Sequence, residues 1–145
     1  MGTLNKRRVL VGGLLAGLVL DISETILNVA VVGEQWQQVM SQYGLQESSA
    51  IMVWYYLWGF LTGIATVWIY AGIRPRFGPG PKTAVLAGLM VWFLQYFLGF
   101  FGYGLSGMFP MNLVLISLIW GLVEMILAAL VGGWYYREEA APATA

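Results

Sequence analysis

The chain has 145 residues, of which 59% are hydrophobic and only 10% charged, with seven basic and seven acidic side chains. That balance excludes an ordinary soluble domain and is far too poor in cations for a nucleic-acid binder. The absence of Cys and His excludes disulfides, thiol chemistry, Cys-held iron–sulfur clusters, His-held haem, His-containing zinc sites and a Ser–His–Asp triad.

The first apolar run covers about residues 9–32 and follows Lys6, Arg7 and Arg8. A basic start before an apolar stretch is the pattern of a signal peptide. This run is too long, however, and Asp21 and Glu24 interrupt it. No small-x-small cleavage site closes a short apolar core, so the segment is read as a retained first helix.

Between the first and second runs lies the string Glu34–Gly44. Trp36, Val39, Met40 and Tyr43 recur there at i, i+3, i+4 and i+7. The spacing predicts an amphipathic helix ended by Gly44. It is expected to lie in the outer interface, with a lid or a docking surface as alternatives.

The second run covers about 51–73, the third about 83–103 and the fourth about 113–136. Each run has about 20 residues or more, enough to cross a hydrocarbon core of about 30 Å. Backbone groups in lipid must bond within their own segment, so all four are expected to be helices. Each carries a small-xxx-small pair: Gly13/Gly17, Gly59/Gly63, Ala84/Gly88 and Ala128/Gly132. Small residues one turn apart let helix backbones approach closely.

The connection between the second and third runs reads Arg74-Pro75-Arg76-Phe77-Gly78-Pro79-Gly80-Pro81-Lys82. It lacks the spacing of a phosphate-binding loop, and its prolines remove the amides such a loop needs. Three prolines are expected to forbid a continuous helix and stiffen the turn. Arg74, Arg76 and Lys82 are candidate contacts to lipid headgroups.

Once these runs are taken as spans, all seven Lys and Arg residues fall on one side. Basic loops resist translocation, so that side is expected to be cytoplasmic, with both termini inside. Trp54, Tyr55 and Tyr56 mark the outer edge; Trp68 and Tyr70, with Trp134–Tyr136, mark the inner one. The expected fold is one all-α domain over 1–145, an antiparallel bundle of four transmembrane helices with a short polar tail at 137–145. Leu15-Ala16-Gly17-Leu18 recurs as Leu86-Ala87-Gly88-Leu89, and Trp58-Gly59 as Trp120-Gly121. The chain is therefore open to reading as two tandem helical hairpins, with chance the rival explanation.

Chemistry is expected where polar groups enter the spans. Asp21, Glu24 and Asn28 form one stripe of the first helix, at i, i+3 and i+7. Glu124 stands near the middle of the fourth span, and Thr62 and Gln95 near the middle of the second and third. A carboxylate at bilayer centre costs about 2.5–3.5 kcal/mol. No Lys, Arg or His inside the spans offers a partner. Two carboxyls one turn apart also resist ionising together in a low dielectric. Asp21, Glu24 and Glu124, supported by Asn28, Thr62 and Gln95, are thus candidates for a proton or cation site. The structural alternative is hydrogen-bonded helix contact, worth only about 0.6 kcal/mol per bond on average.

The strings Asp21–Asn28, Ile73–Thr83 and Trp120–Glu124 resemble those of small bacterial inner-membrane proteins with four predicted spans. The resemblance covers nearly the whole chain. It implies the topology and a bacterial inner-membrane location, and it carries no activity.

Two functions are compatible with these residues. One is a small proton- or cation-coupled transporter or channel. The other is a non-catalytic accessory subunit of a larger membrane complex. An enzyme is not expected, since no nucleophile stands out, and no catalytic residue, metal or cofactor is assigned. Membrane lipids are the expected surroundings and nucleic acid is not a partner. Four helices enclose little interior volume, so a homo-oligomer or membership of a larger complex is expected.

Overall fold

The structure, a computed structural model, describes residues 4–46 and 48–137. The described residues are helical throughout apart from short turns, with no strand among them. Helix α1 spans Lys6–Ile26 and runs into a π-helical segment, Leu27–Val31. Helix α2, Gly33–Gln42, follows immediately, and α3 spans Ser49–Phe77. Helix α4, Pro81–Trp92, continues through a second π segment, Phe93–Leu98, into α5, Gly99–Leu105. Helix α6 spans Met111–Tyr135. Four stretches are long and apolar enough to cross a membrane: Lys6–Val31, Ser49–Phe77, Pro81–Leu105 and Met111–Tyr135. This is the character of an integral membrane protein. Of the C-terminal tail only Arg137 is described; the rest of 137–145 lies outside the described residues.

Local chemistry sets the helix starts. Asn5 caps α1, its Oδ1 accepting from the Arg8 amide at 2.9 Å, and Ser48 caps α3 by accepting from the Ile51 amide. Pro81 occupies the first turn of α4, where its missing N–H costs no helical bond. The basic connection is shorter than its prolines predict. Pro75 lies inside α3, in its last turns, and the helix continues to Phe77. A proline there forfeits a single backbone bond near the end rather than one in mid-helix. The turn itself is made by Gly78 and Gly80, with φ of 83° and 124°, values that need glycine. The Tyr70 hydroxyl accepts from the Gly80 amide at 3.1 Å, and Thr83 Oγ1 donates to the Gly78 carbonyl at 2.7 Å. Arg74 and Arg76 thus fall in the last turn of α3, where their charge suits the helix dipole. Arg74 stacks over the Tyr136 ring at 5.7 Å.

The bundle has two unlike halves. In the half nearer the basic residues, α1, α3, α4 and α6 close around Val9, Ala16, Leu20, Val67, Ala71, Ala84, Ala87, Met125 and Ala128. Tyr70, Val91 and Tyr136 complete this core of twelve, five of which are alanine, and glycines carry the closest crossings. A Cβ on Gly17 would fall 2.6 Å from the Phe60 Cα, and one on Gly12 would fall 2.8 Å from the Gly132 carbonyl oxygen. One on Gly88 would fall 2.7 Å from the Met125 carbonyl oxygen. Lipid tails are as apolar as the helices, so close van der Waals packing of this kind holds such bundles together. In the other half the residues are bulky and the packing is looser. Every position from Met52 to Trp58 on α3 is exposed.

Helix α2 covers this looser end. Val39 is buried beside Leu27, Val32 and Leu113, and Trp36 packs on Phe109 with ring centroids 5.5 Å apart. Tyr43 Oη donates to the Met108 carbonyl at 2.8 Å, and Asn112 Nδ2 donates to Gln35 Oε1 at 3.2 Å. The amphipathic pattern therefore packs one face of α2 onto the loop before α6. Gly44 follows with φ of 66°.

Candidate functional site

The polar residues of the spans meet where the two halves join. Tyr96, on the second π segment, reaches between α1 and α6. Its hydroxyl is 2.7 Å from Glu24 Oε1 and also hydrogen-bonds Glu124 Oε1. The other oxygen of Glu24 accepts from Asn28 Nδ2 at 2.9 Å, and the same amide donates to the Glu24 carbonyl. Glu124 is almost fully buried, at 2% exposure, and Ser23 and Glu24 also face it. Ser23 is held in turn by Trp120, whose indole N–H donates to its Oγ at 2.8 Å.

Proton counting gives this arrangement its chemistry. A phenol has one proton and donates one hydrogen bond. Two carboxylates bonded to the same hydroxyl need two protons between them, so one carboxyl must be the donor in its contact. The cluster Glu24–Tyr96–Glu124 is therefore complete only when it carries a proton beyond the phenol's own.

Asp21 stands apart from this chain. Its carboxyl lies over Gly59, where any Cβ would overlap it. Asp21 is 9% exposed. Its Oδ2, like Oε2 of Glu124, is buried without a hydrogen-bond partner among the described residues. Thr62 Oγ1 donates to Gln95 Oε1 at 3.4 Å, linking α3 to the second π segment. Of the six candidates, the structure thus joins Glu24, Asn28 and Glu124 through Tyr96, pairs Thr62 with Gln95, and leaves Asp21 separate.

Five of those six, all but Glu124, line a cavity of about 450 Å³ in the looser half. Its walls come from the end of α1, the first π segment, α2, the N-terminal half of α3 and the second π segment, with Phe100 of α5 and Leu113 and Ser117 of α6. This is more interior volume than four helices were expected to enclose. It exists because α3 leaves Met52–Trp58, in its N-terminal half, exposed instead of packing them inward. Glu124 lines a second, apolar groove of about 440 Å³ with Ser23, Trp120 and Val123. The hydrogen bonds of Tyr96 therefore link the lining of one cavity to the lining of the other.

Two features here escape sequence reasoning. The first is Tyr96. Its one visible signal is depth: it stands in mid-span beside Gln95, whereas aromatics such as Trp54–Tyr56 and Trp134–Tyr136 stand at span ends. The second is the pair of π segments, which flank the site on both sides. A π turn holds more residues than an α turn and re-aims the side chains around it, and such turns often occur at functional sites.

Gly121 makes room for the Tyr96 ring, since a Cβ there would fall 2.5 Å from a ring carbon. Gly121→Ala is expected to lower stability by about 1–3 kcal/mol through overpacking. Unfolding in detergent micelles checks this; an unchanged midpoint would mean that the ring moves aside freely.

Among the described residues, no group of three or more Asp, Glu, His or Cys side chains is placed to hold a metal ion. Fold and site together describe a helical membrane protein with a hydrogen-bonded carboxyl–phenol–carboxyl chain inside its spans. Comparison with family models, with characterised proteins and with solved structures finds no match.

Proposed function

We propose that this protein moves protons across a membrane, as a small transporter or channel whose path runs through Glu24, Tyr96 and Glu124. The observation that carries this reading is the single phenol hydroxyl between two carboxyls that have no cationic partner among the described residues. Such a chain holds a proton that either acid can take, and rotation of one hydroxyl shifts it from one side to the other. Its ends line different cavities, the Glu24 end the larger one and the Glu124 end an apolar groove on the side of the bundle. Asn28 orients Glu24, and Ser23 with Trp120 borders Glu124.

The same reading takes the four spans as an antiparallel bundle in the bacterial inner membrane, with both termini cytoplasmic. Contacts of Gly13 with Ile64 and of Gly17 with Phe60 run in opposite chain directions and support the antiparallel pairing of α1 and α3. Assembly into homo-oligomers belongs to this proposal as well.

The test is passive proton flux in proteoliposomes, read with a trapped pH dye under an imposed potassium-diffusion potential. Wild-type vesicles are expected to acidify well above empty ones. Tyr96→Phe keeps both acids and the ring but removes the shared hydroxyl, and is expected to slow flux about 100-fold, within the usual range for a positioned proton-transfer group. Wild-type flux equal to that of empty vesicles would overturn the proposal in favour of the accessory-subunit reading.

A further inference from the structure

The cavity is far larger than a proton needs, and Asp21 has no part in the chain through Tyr96. We propose that the 450 Å³ cavity is a binding site for a lipophilic organic cation, such as a quaternary ammonium or phosphonium ion, with Asp21 as its counter-ion. This goes beyond the proton path, because it rests on a residue that the path does not use.

Four observations converge on that ligand class. The volume lies in the range of small-molecule sites, about 300–1,000 Å³. The walls carry Trp36, Tyr55, Tyr56, Trp58 and Phe100, with the Tyr96 ring nearby. Aromatic faces attract cations that have shed their water, and are the usual recognition surface for quaternary ammonium groups. No Lys or Arg lines the cavity, while Asp21 and Glu24 do. Asp21 also keeps a buried carboxylate oxygen with no hydrogen-bond partner among the described residues, on a side chain more than nine-tenths buried.

A small inorganic cation fits poorly. Magnesium and calcium take six or more oxygen ligands or keep their waters, and among the described residues no group of three or more Asp, Glu, His or Cys side chains is placed to hold a metal ion. An anion is disfavoured by the two acids. Access from the bilayer is open, because Met52–Trp58 of α3 are exposed along the rim. A cation with an apolar body partitions into that layer and meets the cavity from the side.

The experiment is equilibrium dialysis of the purified protein in detergent against labelled tetraphenylphosphonium, with protein-free micelles as the blank. Tetraphenylborate, of the same shape and opposite charge, is dialysed in parallel. Saturable binding of the cation is expected, at least tenfold tighter than that of the anion. Asp21→Asn, nearly isosteric, is expected to weaken it tenfold or more, and Trp58→Leu, at an exposed rim position, several-fold. Equal uptake of both ions, no saturable uptake, or binding that Asp21→Asn leaves unchanged would each overturn the proposal. Displacement of the probe by sodium or magnesium at modest excess would also overturn it, in favour of an inorganic cation site. The comparison of the two ions needs no variant, so a folding defect in Asp21→Asn leaves it decisive. Proton flux is read separately, so loss of this inference and loss of the proton path are distinguishable.

Discussion

Glu124→Gln is expected to reduce proton flux to the level of empty vesicles while leaving the protein at least as stable as wild type. The two halves of this expectation come from different physics. Glutamine keeps the shape of glutamate, and its amide oxygen still accepts from the Tyr96 hydroxyl. It holds no exchangeable acid proton, so the chain from Glu24 ends at Tyr96. Stability moves the other way. A carboxylate at mid-bilayer costs about 2.5–3.5 kcal/mol to insert, and an interhelical hydrogen bond returns only about 0.6 kcal/mol on average. Glu124 is 2% exposed and its Oε2 has no partner among the described residues. Whenever Glu124 is the ionised acid of the pair, a neutral amide in its place removes that cost.

A purely structural glutamate predicts the reverse pattern, with stability lost and flux unchanged. Flux in proteoliposomes and unfolding in mixed micelles, measured on the same preparation, therefore separate the two roles. Retained flux in a folded Glu124→Gln protein would remove this residue from the path.

The largest effect on stability is expected at Gly63. A Cβ at this position would overlap the Gly17 amide nitrogen and the Gly13 carbonyl oxygen, and would fall 2.7 Å from the Gly17 Cα. These are backbone atoms of the facing helix, which no rotamer change can move aside. Gly63→Leu must push α1 and α3 apart along the whole small-residue seam, forfeiting contacts at Gly13, Gly17 and Gly59 together. A loss above about 3 kcal/mol is expected, at the top of the range for overpacking.

Gly72, on the same helix, has nothing within 4 Å of its Cβ position. Gly72→Ala is expected to be neutral or to stabilise by up to about 1 kcal/mol, since alanine is the better helix former. Denaturation of both variants in mixed micelles checks the pair. Equal effects at the two positions would mean that the close crossing of α1 and α3 does not hold the bundle.

Much of this molecule is legible in its sequence. The four apolar runs appear as four helices of membrane-crossing length, because hydropathy and the demand for internal backbone bonds are properties of each segment alone. The 3.6-residue period of Trp36, Val39, Met40 and Tyr43 marked α2 for the same reason. The small-residue pairs were visible as spacing, and glycines of these pairs occupy the tightest crossings. The polar residues at mid-span were visible as interruptions of apolar runs.

What tertiary structure alone decided is which of these groups touch. Asp21, Glu24 and Asn28 share one helical stripe, so sequence treats them as one set. In space Glu24 joins Glu124 through Tyr96 while Asp21 turns to Gly59. Such contacts depend on how helices rotate and cross, and no single-helix period records that. The π segments at Leu27–Val31 and Phe93–Leu98 carry no propensity signature distinct from an α-helix, yet the second of them bears Tyr96. The helix is interrupted within the proline-rich connection, as the three prolines require, but tertiary structure places the break at Gly78–Gly80 and leaves Pro75 inside the last turns of α3. The cavity, finally, follows from small residues filling one half of the bundle and aromatic ones the other. Sequence listed those residues; only their meeting in space turned the imbalance into a chamber with acids in its wall.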